Sequence, residues 1–110
     1  MPQNLKPRKG KAPLHLLPFR PLRVIAAAME QGALKYKRDN WREHDADAIR
    51  DLYGAAALRH VRAYLEPDDT DDDPESGVHH LGHAGACILI MLWHTTADYV
   101  APRVPDKPAG

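Results

Sequence analysis

The chain has 110 residues, and its 15 basic and 15 acidic side chains balance to zero formal charge. That length predicts one domain burying roughly two-thirds of its unfolded surface, and the neutrality argues against a nucleic-acid binder, which carries a clear positive excess. Cys87 is the only cysteine, so no intrachain disulfide can form and a reducing cytoplasm is the expected compartment, while the longest apolar run, Ala86 to Trp93, is too short to span a bilayer and predicts no membrane partner.

Residues 1–21 carry Pro2, Pro7, Pro13, Pro18 and Pro21. Each removes a backbone donor and restricts its predecessor, so an extended Pro-rich arm is expected. Residues 1–9 read as a basic, flexible arm, and 10–100 as the folded domain. Lys6, Arg8, Lys9 and Lys11 stand in the first eleven residues without an acid. A solvated tail and a phosphate contact both fit this cluster. Lys11 is best placed for the second, because it adjoins the apolar part. Leu14, Leu16, Leu17 and Phe19 are expected to tack the second half of the arm onto the core.

Helix one is expected from near Pro21, a residue suited to a first helical position. Leu22, Ile25, Ala26, Met29, Ala33 and Tyr36 give it one apolar face. Gly32 interrupts that face and allows close approach to the backbone. Lys37 to Trp41 reads as a turn with Trp41 as its aromatic anchor. Helix two is expected to begin after Asp45 or Asp47, either of which can cap it. Ile49, Leu52, Tyr53, Ala56, His60 and Tyr64 form its inward line. It ends by Glu66, since Pro67 cannot continue it.

Residues 66–75 hold seven acids and no base. Asp73-Pro74-Glu75-Ser76 then reads as a helix start, capped by Asp73 or Ser76. Helix three is expected from about Val78 to near Ala97. Its centre, Ala86 to Trp93, is apolar on all sides, which favours burial against a second subunit and hence a homodimer. Residues 101–110 read as a flexible tail. The class is therefore all-α, a small domain of three main helices.

The loop between helices two and three makes them antiparallel neighbours. At about 1.5 Å per residue, His60 and His80 then stand at similar heights near that loop. His80 and His83 are i, i+3 partners, and His79 pairs equally well with His83. Asp73 and Glu75 immediately precede them. Imidazole and carboxylate are ligands for a divalent cation, and the geometry allows one cluster holding His60, His80, His83 and a carboxylate, Asp73 or Glu75. A lone inward histidine is more often a satisfied core residue. The convergence of three on one acidic loop is what favours a metal or catalytic role. Cys87 reads as a small core residue.

Four motifs, in order, carry a resemblance. They are Gly10-Lys11-Ala12-Pro13-Leu14-His15-Leu16-Leu17-Pro18, then Gly32-Ala33-Leu34-Lys35-Tyr36 followed by Asn40-Trp41. The third is Ala57-Leu58-Arg59-His60, and the fourth Asp73-Pro74-Glu75-Ser76-Gly77 with His80 and His83. The chain resembles the N-terminal domain of the phage dATP/dGTP diphosphohydrolases, a family placed near the all-α pyrophosphohydrolases of MazG type. The MazG magnesium motif EExxE is absent from helix two, so the ligand set differs. The resemblance implies hydrolysis of a deoxypurine nucleoside triphosphate to monophosphate and pyrophosphate, with Mg2+ or Mn2+ as cofactor. In that scheme the metal is held by His60, His80, His83 and Asp73. Glu75 orients or deprotonates the attacking water. Lys11, Lys35 and Arg59 neutralise phosphate oxygens, Tyr36 or Trp41 stacks on the purine, and Asn40 completes the substrate contacts. Two rivals stand beside it. One is a phosphohydrolase of HD type, for which the nearest His-Asp pair is His44-Asp45. The other is a non-catalytic phage accessory module with structural histidines.

Overall fold

The computed structural model describes residues 12–98. A 3-10 turn at Leu14–Leu16 leads into α1 (Phe19–Lys35), and a second 3-10 turn at Asn40–Glu43 leads into α2 (Ala46–Leu65). After the acidic loop comes α3 (His80–Thr95). The expected all-α class is what the structure shows. No helix of the described residues is long and apolar enough to cross a membrane. The expected basic arm at 1–9 and tail at 101–110 lie outside the described residues.

α3 is the central element, packed against both α2 and α1, while α1 and α2 scarcely meet. Two glycines permit the α1–α3 contact. A Cβ on Gly82 would stand 2.6 Å from Cγ1 of Val24, and one on Gly85 2.9 Å from Ile25. The core joins Trp41 to Ile49 of α2 and Ile90 of α3, with Met29, Tyr53 and Met91 against them. Trp41, expected as an anchor, is 8 % exposed. His94 donates through Nε2 to the Trp41 carbonyl at 2.8 Å.

α1 starts two residues earlier than expected, with Pro18 extended at its cap. Pro21 is then the third helical residue, where a missing N–H is still harmless because the first-turn donors have no intrahelical partner. Asp45 caps α2, its Oδ1 accepting from the Ala48 N–H at 2.8 Å. Leu14, Leu16, Leu17 and Phe19 do not tack anything onto the core, for all four are exposed. Leu52 and Tyr36, expected to face inward, are 61 % and 65 % exposed. Both follow from the arrangement of the helices. Positions that α1 and α2 would bury against each other stay open, because each helix packs on α3 instead.

The start of α3 also differs from expectation. Gly77 takes a left-handed φ of 76°, which breaks any helix begun at Asp73. The loop folds back instead, with an antiparallel bridge between Asp72 and His79. The Asp73 N–H donates to the Val78 carbonyl at 2.9 Å, and the His80 N–H to that of Asp71 at 2.8 Å. Neither Asp73 nor Ser76 caps α3. His79 does so, its Nδ1 accepting from the Leu81 N–H at 3.0 Å.

Candidate functional site

The gap left between α1 and α2, floored by α3, is a cavity of about 920 Å³. Of the residues expected at the site, Lys35, Tyr36, Asn40, Trp41, Arg59, His60, Asp73, Glu75 and His83 all line it. His80 is not in the wall but behind it, 7 % exposed. Lys11 lies outside the described residues. Ser76 also lines the cavity and was not expected there. Its signal was its place between Glu75 and Gly77, which reads as a cap when only helix starts are considered.

The histidines form a layered group. Nδ1 of His60 is 2.9 Å from Nδ1 of His80. The His60 ring also stacks on His83, with centroids 4.7 Å apart and planes 17° from parallel. Burial lowers the His60 pKa below its ordinary value, and the neighbouring His83 and His80 rings add to that. Burial likewise lowers His83, against the opposing pull of the Asp73 charge. Both rings are therefore held neutral at pH 7.

The loop supplies the acids. Oδ1 of Asp73 accepts from the Glu75 N–H at 3.1 Å, and Oδ2 from the Ser76 hydroxyl at 3.1 Å. Burial alone would raise the Asp73 pKa, but these hydrogen bonds and the nearby histidines outweigh it and lower it. Oδ2 is also 3.4 Å from Nε2 of His83. Glu75 leans to the other wall, where its Oε1 meets Nζ of Lys35 at 3.3 Å. The hydrogen bond to Glu75, then its charge, raises the Lys35 pKa.

Nitrogen and carboxylate donors suit a divalent ion chemically, but their placement does not make a ready site for one. Among the described residues no three His, Cys, Asp or Glu side chains are disposed to hold a metal. The reason is local. His60 and His80 bind each other through Nδ1, and Nε2 of His83 is engaged by Ser76 at 2.6 Å. The expected ligands are neighbours without being a preformed resident metal centre.

Two aromatic rings were expected to face a base, and they differ. Trp41 is buried, edge-on to Trp93 with Arg42 over its face at 5.0 Å. Tyr36 is open, with Lys35 beside its ring at 5.4 Å. Cys87 is buried and its thiol pKa is pushed up by that burial, which fits a core residue. His44 and Asp45 do not line the cavity, and Asp45 is committed to its helix cap.

These features define a small all-α domain with one large, open, histidine- and carboxylate-walled cavity. Residues 2–101 match the family model described as dATP/dGTP diphosphohydrolase, N-terminal. The chain belongs to that family. A protein of Salmonella phage PMBT28 named dATP/dGTP diphosphohydrolase is 34 % identical to it over 90 residues. That match takes in 82 % of this chain and 29 % of the relative, so the chain spans under a third of the relative's length. No solved structure matches the chain.

Proposed function

We propose that this domain hydrolyses deoxypurine nucleoside triphosphates, dATP or dGTP, to monophosphate and pyrophosphate. One observation carries the reading. The cavity wall brings together two cations, Lys35 and Arg59, two carboxylates, Asp73 and Glu75, and the open ring of Tyr36. Its 920 Å³ lies at the upper end of the range for small-molecule sites. Arg59 and Lys35 neutralise phosphate oxygens, and Tyr36 stacks on the purine with Asn40 beside it. Glu75 orients the attacking water or takes its proton. The water oxygen bonds to the α-phosphorus, and pyrophosphate leaves with the bonding electrons. The divalent ion, Mg2+ or Mn2+, enters as part of the substrate complex. Mg2+ is commonly held by substrate phosphates plus one or two carboxylates, here Asp73 and Glu75, and needs no cage prepared in advance. The setting is the cytoplasm, where Cys87 stays reduced.

The test is product identity. The protein is incubated with each of the four deoxynucleoside triphosphates and Mg2+ or Mn2+, and followed by ³¹P NMR. Pyrophosphate from dATP or dGTP, abolished by EDTA, is the expected result. Triphosphate release would instead support the HD-type rival, which has the separation of His44-Asp45 from the cavity against it. The accessory-module rival draws support from the mutual satisfaction of the His60–His80 pair. It predicts no turnover under any metal.

The same reading includes a homodimer. α3 leaves Leu81, Ile88 and Leu92 between 40 % and 54 % exposed on one face. Their separations of seven and four residues are those of a helix–helix seam. Light scattering on a sizing column should give twice the monomer mass. Leu92→Lys should return it to the monomer.

A further inference from the structure

The hydrogen bonds of Ser76 dictate where the proton on the neighbouring His83 ring must sit. Its Oγ has three neighbours. They are Oδ2 of Asp73 at 3.1 Å, the Val78 N–H at 3.2 Å and Nε2 of His83 at 2.6 Å. A hydroxyl offers one proton and two lone pairs, whereas an ionised carboxylate only accepts. The Ser76 proton therefore goes to Asp73. The Val78 N–H uses one lone pair. Nε2 of His83 can satisfy the remaining lone pair only by donating, so it carries the proton. Oδ2 of Asp73, 3.4 Å from the same nitrogen, favours that assignment. The opposite tautomer would set a bare nitrogen lone pair against a carboxylate oxygen.

The geometry points to Ser76, backed by Asp73, as a positioning residue that holds His83 in its Nε2–H tautomer and leaves Nδ1 as the ring's acceptor. Among the described residues Nδ1 of His83 meets no hydrogen-bond partner, and no fully buried side-chain polar atom lacks one, so this nitrogen is not sealed off. His83 lines the cavity. Stacking against His60 resists rotation of the ring. His60 and His80 are turned to each other through Nδ1, and His83 is the cavity imidazole whose bare nitrogen the Ser76 hydrogen bonds assign. Resting here on the hydrolase reading, we assign the roles as follows. Glu75 orients the water, the water's proton passes to Nδ1 of His83, and its oxygen bonds to the α-phosphorus as pyrophosphate departs.

The experiment reads the tautomer directly and needs no nucleotide. Uniformly ¹⁵N-labelled full chain at pH 7.5 is examined by long-range ¹H–¹⁵N correlation of the histidine rings. For His83 a protonated-type shift at Nε2 and a bare-type shift at Nδ1 is expected. Protonation at Nδ1, at both nitrogens, or an averaged pattern overturns the assignment, and the wild-type spectrum decides this without any variant. Ser76→Ala should give the averaged pattern, and Ser76→Thr should restore the single tautomer. An unchanged His83 pattern in Ser76→Ala rejects the positioning role whatever the activity. In the kinetic arm, Ser76→Ala should lower kcat about 10–100-fold with KM little changed, and Thr should rescue it. A single tautomer in a protein that turns over no nucleotide sinks the hydrolase reading and leaves the Ser76 assignment standing.

Discussion

Nδ1 of His60 and Nδ1 of His80 lie 2.9 Å apart across the α2–α3 interface, so one proton is shared between two like nitrogens. If both rings were protonated, both nitrogens would be donors and the bond would break. That pair and the His83 ring stacked on it make the interface sensitive to mild acid.

The direction follows from linkage. His60 and His83 have folded pKa values below their ordinary 6.5. Between the folded value and 6.5 the unfolded chain binds more protons, so stability falls as pH falls. Asp73 acts lower down. Its depressed pKa contributes stability that is present above the ordinary carboxylate value of 3.8 and lost below it. Thermal melting should give a lower Tm at pH 5.5 than at pH 7.5. His83→Asn should flatten that dependence. An equal Tm at both pH values would show that the folded and unfolded chains bind the same number of protons across that range, so that folding does not lower the histidine pKa values.

The three-helix pattern was legible because α1 and α2 carry strong local signals. Pro67 closes α2, and Asp45 caps it as expected. The pairing of α2 with α3, and the shared height of His60 and His80, were legible from the loop that joins them, but the place of α1 was not. Periodicity identifies an apolar face, not its partner, so Leu52 and Tyr36 were placed inside a closed bundle that the structure leaves open. The bend at Gly77 was missed for a similar reason. Asp73-Pro74-Glu75-Ser76 has the composition of a helix start, and only the positive φ at Gly77 turns it into a folded-back loop. The cavity residues were legible as residue types at a shared height. Their hydrogen-bond partners were not, and those partners separate a metal-ligand set from an imidazole pair.

The glycines of the chain offer a paired test. A Cβ at Gly82 would meet Val24 Cγ1 at 2.6 Å, the Val24 carbonyl oxygen at 3.1 Å and Val78 Cγ1 at 3.3 Å. Gly82→Ala must push α1 off α3 and should cost about 1–3 kcal/mol. A Cβ at Gly32 would meet nothing within 4 Å. Gly32→Ala should stabilise by about 0.4–1 kcal/mol, by restricting the unfolded chain. Urea unfolding measures both. Gly32 also lines the cavity, so a raised KM in the stabilised variant would show that substrate approaches the α1 backbone there.

Trp41 separates core from binding. It is buried with Ile49 and Ile90, and its face is occupied by Arg42. Trp41→Ala should cost about 3–5 kcal/mol, seen as a lower urea midpoint. Tyr36→Ala should leave the midpoint nearly unchanged and raise KM for the purine nucleotide. The reverse pattern, a stable Trp41 variant with lost nucleotide affinity, would make Trp41 the platform.

Glu75 and Lys35 test the chemistry without disturbing the fold. Their side chains are 76 % and 58 % exposed, so the 3.3 Å ion pair is screened and contributes little to stability. Glu75→Gln keeps the size and one acceptor oxygen but removes the charge. Its Tm should match the wild type, while kcat falls about 10²–10⁴-fold if Glu75 orients the water or takes its proton. Lys35→Met should instead raise KM with kcat less affected, because Lys35 binds phosphate in both ground and transition states. Full activity in Glu75→Gln at unchanged Tm would remove Glu75 from the mechanism. The catalytic contribution would then fall to Asp73 of the loop and His83 of α3.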